Sequence, residues 1–426
     1  MTDRIDATVA RQRLIPSHLV WPFALITSLF FAWGLASNMT DTLLAAFKKI
    51  LSLTDLRTAL IQNAYFGAYF VFALPAAFFI RRFTYKTGII VGLLLYIIGA
   101  FLFLPAANSL TFAPFLVALF ILAGGVTFLE TAANPYILEL GSPETATRRL
   151  NLAQSFNPIG SVTGIVLSEI FILSKLNAAG EAERAAMSAD ELTAIQTGEL
   201  NAVMGPYVGI AIVLVLIAAL IAFTKMPRAR DTDALPEPGV FGRLLSNRGY
   251  VASVFAQFAY VAAQVCVWSF TIRYVMAEVG GDEASAAVYL RYSLILFLVS
   301  RFVCTWLMGR MSPQRLFTVL AAIALALTLM AVFVGGGVGV YALVATSACM
   351  SLMFPTIFSW GVEGLGTDTK IGAAGLVMAI VGGALVPMAQ GAISDASGAA
   401  FSYIVPAICF AALVVYGLRR RSTFAV

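Results

Sequence analysis

Glu130 is a lone charge at the end of a long apolar stretch. The run from Phe112 to Leu129 has no charged residue, and "LETAANPY" then sets Glu130, Asn134 and Pro135 about one helical turn apart. Asp41 stands in a similar place, in "FAWGLASNMTDTLLAAF", with Ser37 and Asn38 four and three residues before it and so on the same helix face. If these runs cross a bilayer, a carboxylate at mid-membrane costs about 2.5–3.5 kcal/mol on insertion scales. Each acid is therefore expected to face a water-filled cavity or a partner. A poorly hydrated cavity favours the neutral carboxyl, which can then carry a proton near neutral pH. The single histidine, His18, precedes the first apolar run, which leaves Asp41 and Glu130 as the candidate proton sites. Asp41 lies late in its run and can instead sit at the outer interface; Glu169, near the end of its own run, reads as interfacial. Arg301 reads first as a side chain that snorkels or pairs near one end of its span, and second as a counter-ion.

Other polar residues fall into stripes. Gln257, Gln264 and Trp268 are spaced i, i+7, i+11, with Tyr260 beside them; Asn151, Gln154 and Asn157 follow at i, i+3, i+6; Gln62, Tyr65 and Tyr69 form a third set. Amides bond hydroxyls in both directions, and aromatic faces pack on the apolar face of a pyranose. The pattern fits a sugar site. Interhelical hydrogen bonding is the alternative for the same residues, Asn38 and Asn134 above all.

The elements that must hold these side chains follow from composition. Of 426 residues, 60% are hydrophobic and only 12% charged, with mean hydropathy +0.90. A soluble chain carries roughly twice that charge. Continuous apolar runs of about 20 residues, without period-two alternation, predict membrane-spanning helices and argue against a barrel. The expected fold is all-α with twelve spans, at 20–47, 56–80, 88–106, 112–138, 149–174, 203–225, 249–275, 285–309, 315–336, 339–362, 372–394 and 401–418. Glycines alone mark the turn between the ninth and tenth. The polar segment 176–202 predicts a short amphipathic helix outside the membrane.

Lysines and arginines set the orientation. Of the 27, 19 fall on the side of the N-terminus and 7 on the other. The positive-inside rule then makes both termini cytoplasmic, in a multi-pass protein of the inner membrane. Segment 1–19 precedes the spans, has no apolar core and does not resemble a cleaved signal. Residues 226–248, with Pro227, Pro236 and Pro238 and mixed charge, read as a cytoplasmic linker between six-helix halves at 20–225 and 249–418; a cytoplasmic tail follows at 419–426. Six plus six around a polar linker is how transporters with a mid-membrane site between two halves are built.

The net charge of +5 is scattered over loops, so nucleic acid is not an expected partner. The four cysteines are far apart and lie in apolar runs, so neither a metal nor a cofactor is expected. No nucleophile–base pair or ligand cluster supports an enzyme, and no charge ring or carbonyl-filter motif supports a channel.

Together "NMTDTLL", "ALIQNAYFGAYF", "FLETAANPY", "RLNLAQSFNPIG", "AQFAYVAAQ" and "FPTIFSWGVEGLGTDTK" resemble the fucose permease branch of the major facilitator superfamily, in order over roughly residues 25–420. The resemblance implies the twelve-helix major facilitator fold and proton-coupled symport of a monosaccharide by a monomer. It places proton coupling on Asp41 and Glu130, sugar recognition on Glu130, and the lining of the sugar site on Gln154 and Asn157. With Asn38, Asn134, Gln257, Tyr260, Gln264 and Trp268 from the stripes, these complete the expected site. The chain departs from the family pattern in having Ser37 and Thr40 around Asn38, and Phe354 where the family has a tyrosine. L-fucose is the expected sugar. A hexose (glucose, galactose or mannose) is the alternative, and sodium is the alternative coupling ion.

Overall fold

The computed structural model describes residues 13–50, 55–109, 111–227 (without 178, 180–182 and 185) and 238–420. Within these, the side chains at 40–49, 55–60, 62–63, 107–109, 173, 189 and 201–204 lie outside the description. The described residues form helices and no strand. In chain order the first part contains α1 (Val20–Ile50), α2 (Asp55–Arg82), α3 (Tyr85–Ser109), α4 (Phe112–Glu139), α5 (Ala146–Gln154), α6 (Phe156–Phe171) and α7 (Ala189–Phe223). The second contains α8 (Val240–Ser246), α9 (Arg248–Glu278), α10 (Glu283–Leu307), α11 (Pro313–Phe333), α12 (Gly336–Met350), α13 (Met353–Val362), α14 (Thr369–Met378), α15 (Gly382–Ser397), α16 (Ala399–Ser402) and α17 (Ile404–Arg419).

Among the described residues, eleven segments are long and apolar enough to cross a membrane. The fifth passage makes the twelfth, and is broken at Ser155 between α5 and α6. The tenth is broken between α12 and α13, the eleventh bends through a short 3-10 turn at Ala379–Val381, and the twelfth is interrupted at Tyr403. Large apolar side chains such as Phe223, Phe333 and Leu418 are exposed on the outer surface, as lipid-facing positions should be.

Two expectations change. The polar segment does not stand wholly apart from the spans. Instead α7 begins at Ala189, where Ser188 and Glu191 form a reciprocal capping box, and runs unbroken into the sixth span. Ahead of it, Arg184 pairs with Glu199 at 2.5 Å, and Glu199 also accepts from the Asn177 N–H at 2.8 Å, folding the segment onto α7. The linker carries a helix of its own: α8 buries Val240 and Leu244, and Arg243 grips Asp368 with two bonds of 2.7 and 2.8 Å. The turn expected from glycines is present, with Gly335 and Gly336 at φ of 66° and 55° between α11 and α12.

Close helix contact places the site. On α1 and α6, Gly34 and Gly160 face the opposite backbone: a Cβ at Gly34 would lie 2.1 Å from the Asn157 carbonyl oxygen, and one at Gly160 2.0 Å from that of Phe31. Only glycine permits this approach, and it brings Asn157 against α1.

Candidate functional site

A cavity of about 430 Å³ lies between the two parts of the chain. Trp33, Asn38, Glu130, Gln154, Asn157 and Ser161 line it on one side; Tyr260, Gln264, Trp268, Phe297, Arg301 and Phe354 line it on the other. Seven of the ten expected residues therefore share one space: Asn38, Glu130, Gln154, Asn157, Tyr260, Gln264 and Trp268. A larger cavity of about 550 Å³ lies among the loops at the end that carries the termini, between Glu144, Ser359, Glu363 and Arg420. None of the expected residues lines it.

The first wall is polar and internally braced. Glu130 is only 3% exposed, and among the described residues its Oε2 has no hydrogen-bond partner. The Tyr69 hydroxyl lies within hydrogen-bonding reach of its carboxyl. Tyr69 and Tyr65 hydroxyls are 3.4 Å apart, and so are those of Tyr65 and Ser37. A file of hydroxyls thus leads from Glu130 to α1, ending one turn before Asp41. The Asp41 backbone belongs to α1, but its side chain lies outside the described residues, as does that of Gln62.

Asn134 is fully buried behind this wall. Its amide donates to the Glu130 carbonyl at 3.1 Å, and its oxygen accepts from Gln154 Nε2 at 2.8 Å. It fixes the Gln154 side chain but does not line the cavity. Asn157 is held by donating to the Phe30 carbonyl at 3.2 Å. Asn151, the remaining member of that stripe, is buried further toward the termini and donates to Thr356 Oγ1 at 3.2 Å.

The second wall is aromatic, and its polar ends are occupied. The Tyr260 hydroxyl donates to the Met350 carbonyl at 3.1 Å, and Trp268 Nε1 donates to Ser347 Oγ at 3.1 Å. Trp268 meets Phe297 edge to face, with centroids 5.1 Å apart. Gln264 is half-buried and has no hydrogen bond within the described residues, so its amide is available to a ligand. Gln257 does not reach the cavity. It is fully buried two turns earlier on α9, and both of its amide atoms lack a partner. It shares the face of the stripe but lies two turns nearer the start of α9 than Gln264.

Arg301, six residues before the end of α10, does not snorkel. It is 4% exposed, sits over the Phe297 ring and lines the cavity. Trp33, Ser161, Phe297 and Phe354 also line the site without having been expected there; residues like them are too common in apolar helices to stand out. Among the described residues no group of His, Cys, Asp and Glu is placed to hold a metal ion.

The described side-chain hydrogen bonds between the two parts gather on one side of the cavity, toward the termini. Thr147 bonds Ser359 at 2.8 Å, Asn151 bonds Thr356, and Arg148 donates to the Thr305 carbonyl at 3.1 Å. These bonds tie the two parts together at that end.

Twelve helical passages, two of them broken beside a central cavity with one polar and one aromatic wall, define a membrane carrier fold. Residues 24–382 match the model of the Major Facilitator Superfamily, and the chain belongs to that family. It is 41% identical over 425 residues to the L-fucose-proton symporter of Escherichia coli, covering 98% of this chain and 96% of that protein. It is 37% identical over 395 residues to a glucose/galactose transporter of Brucella abortus, covering 92% of each. The crystal structure of a family transporter, FucP, in the outward conformation superposes with a TM-score of 0.90 at 40% identity, covering 95% of this chain and 99% of that one.

Proposed function

We propose that this protein is a proton-coupled symporter of L-fucose that works by alternating access. The observation that carries this reading is the two-sided cavity. Its polar wall holds Glu130, the one carboxyl among its described lining residues, and its opposite wall is mainly aromatic, with Gln264 and Arg301 its polar members. A 6-deoxy sugar has the matching asymmetry: ring hydroxyls on one edge and a methyl group on the other. Asn38, Gln154, Asn157 and Gln264 are suited to the hydroxyls. Trp268 offers a ring face, because its polar end is already bonded; Tyr260 borders the cavity but is fully buried. A hexose needs a partner for its extra hydroxyl, and in this wall only Gln264 has a free amide. The 41% identity to a fucose symporter, against 37% to a glucose/galactose transporter, supports the same choice.

In this mechanism Glu130 takes a proton as sugar binds, and Asp41 is the second proton site, nearer the outside. The Tyr69 and Tyr65 hydroxyls lead from Glu130 to Ser37 on α1. Asn134 acts through Gln154, and Gln257 stands behind the aromatic wall. Residues 20–225 and 249–418 rock against each other around the cavity, joined by 226–248. The protein works as a monomer in the inner membrane with both termini cytoplasmic, and no covalent step is involved.

The test is uptake of labelled L-fucose into proteoliposomes under an imposed pH gradient without sodium. Accumulation above equilibrium, competed by fucose and not by glucose, is expected. Uptake of glucose or galactose in place of fucose overturns the sugar, and accumulation that requires sodium overturns the coupling ion.

A further inference from the structure

The fifth and tenth passages break in the same way. In "QSFNP" Pro158 lies four residues after Gln154, and in "SLMFP" Pro355 lies four residues after Ser351. In an unbroken helix the N–H at each of these positions would donate to the carbonyl four residues back. Proline has no N–H. Both carbonyls are thereby freed inside a membrane-spanning segment, where an unsatisfied backbone group is costly.

Arg301 on α10 donates to both. Its Nη1 lies 3.0 Å from the Gln154 carbonyl oxygen, and its Nε lies 2.5 Å from that of Ser351. Its guanidinium carbon is 4.6 Å from the Phe297 ring centroid. Among the described residues no carboxylate pairs with it. Gln154 belongs to the first half of the chain, whereas Ser351 and Arg301 belong to the second. One guanidinium therefore fills two proline-made gaps across the plane where the halves must separate. The Gln154 side chain and Asn157, one turn apart in the same segment, line the cavity.

We propose that Arg301 is a conformational latch. It holds the cavity shut at the end carrying the termini and releases the Gln154 carbonyl each time that end opens. Arginine suits this role because its rigid fork presents several donors at once, whereas a lysine ammonium is a point charge. Arg301 here is a positioning residue, and no contact with sugar or proton is required of it. The proposal rests on alternating access and not on which sugar or ion is carried.

The experiment measures distances between spin labels on Glu144→Cys and Arg315→Cys, which are exposed on the two halves at this end, in full-length protein in nanodiscs without substrate. Arg301→Lys is expected to raise the ratio of long to short separations by about tenfold, the scale of one charged hydrogen bond. Pro158→Ala restores an N–H to the Gln154 carbonyl without touching Arg301, and is expected to shift the ratio in the same direction. The double variant should move it no further than the larger single change. Unchanged distances in Pro158→Ala overturn the latch, whatever Arg301→Lys does, and decide the matter alone if Arg301→Lys fails to insert. Because no sugar is present, failure of the fucose assignment leaves this result unaffected.

Discussion

Asn134→Leu should weaken sugar binding although Asn134 does not touch the cavity. The substitution keeps the branched shape and the number of heavy atoms and removes two bonds: the 3.1 Å donation to the Glu130 carbonyl and the 2.8 Å acceptance from Gln154 Nε2. A neutral hydrogen bond contributes about 0.5–1.5 kcal/mol net, and a buried amide left unpaired costs about 1–3 kcal/mol. Gln154 is 5% exposed, so its amide has few other partners and must either stay unpaired or swing toward the cavity. Either way it loses the bond that fixes its binding position, and the dissociation constant for L-fucose should rise about 10–100-fold, the equivalent of roughly 1.4–2.8 kcal/mol. Quenching of tryptophan fluorescence in detergent reports binding, since Trp33 and Trp268 line the cavity. The decisive comparison is a double-mutant cycle with Gln154→Ala. If Asn134 acts through Gln154, Asn134→Leu adds less than about 0.5 kcal/mol in the Gln154→Ala background. Fully additive losses would refute the reasoning and give Asn134 a separate role.

Two further outcomes follow from the same geometry. Gly160→Ala drives a methyl to within 2.0 Å of the Phe31 carbonyl oxygen. Overpacking of this kind costs about 1–3 kcal/mol or more, and because α1 and α6 must then separate beside Asn157, a lower thermal unfolding temperature should accompany weaker fucose binding. Tyr69→Phe removes the hydroxyl between Glu130 and Tyr65. It should slow proton-driven accumulation several-fold while leaving fucose exchange at equal pH nearly unchanged, as measured by counterflow in proteoliposomes.

Much of this site was legible because charges and amides are expensive in lipid. Glu130 in an uncharged run, and the amide and aromatic stripes of the fifth and seventh passages, announce a cavity by type and spacing alone. Periodicity cannot say how far along a helix a stripe continues to face the cavity, and so Gln257 groups with Gln264 in the sequence although only Gln264 lines the cavity. Asn134 shows a similar limit: its face was right, but a neighbouring helix covers it. Arg301 was legible only through its acceptors. Pro158 and Pro355 free the two carbonyls it binds, and those three residues are far apart in sequence. The extent of α7 was obscured because its outer turns are polar, while the capping box "SADE" at Ser188 marks its true start.

Proton coupling at Glu130 is tested most directly by Glu130→Gln in proteoliposomes, with fucose accumulation under an imposed pH gradient measured beside fucose counterflow at equal pH. The amide keeps the shape and the hydrogen-bonding capacity of the protonated acid but cannot release a proton. Loss of accumulation with counterflow retained is the predicted result. Accumulation at the level of the unmodified protein would contradict it and move the coupling site away from Glu130.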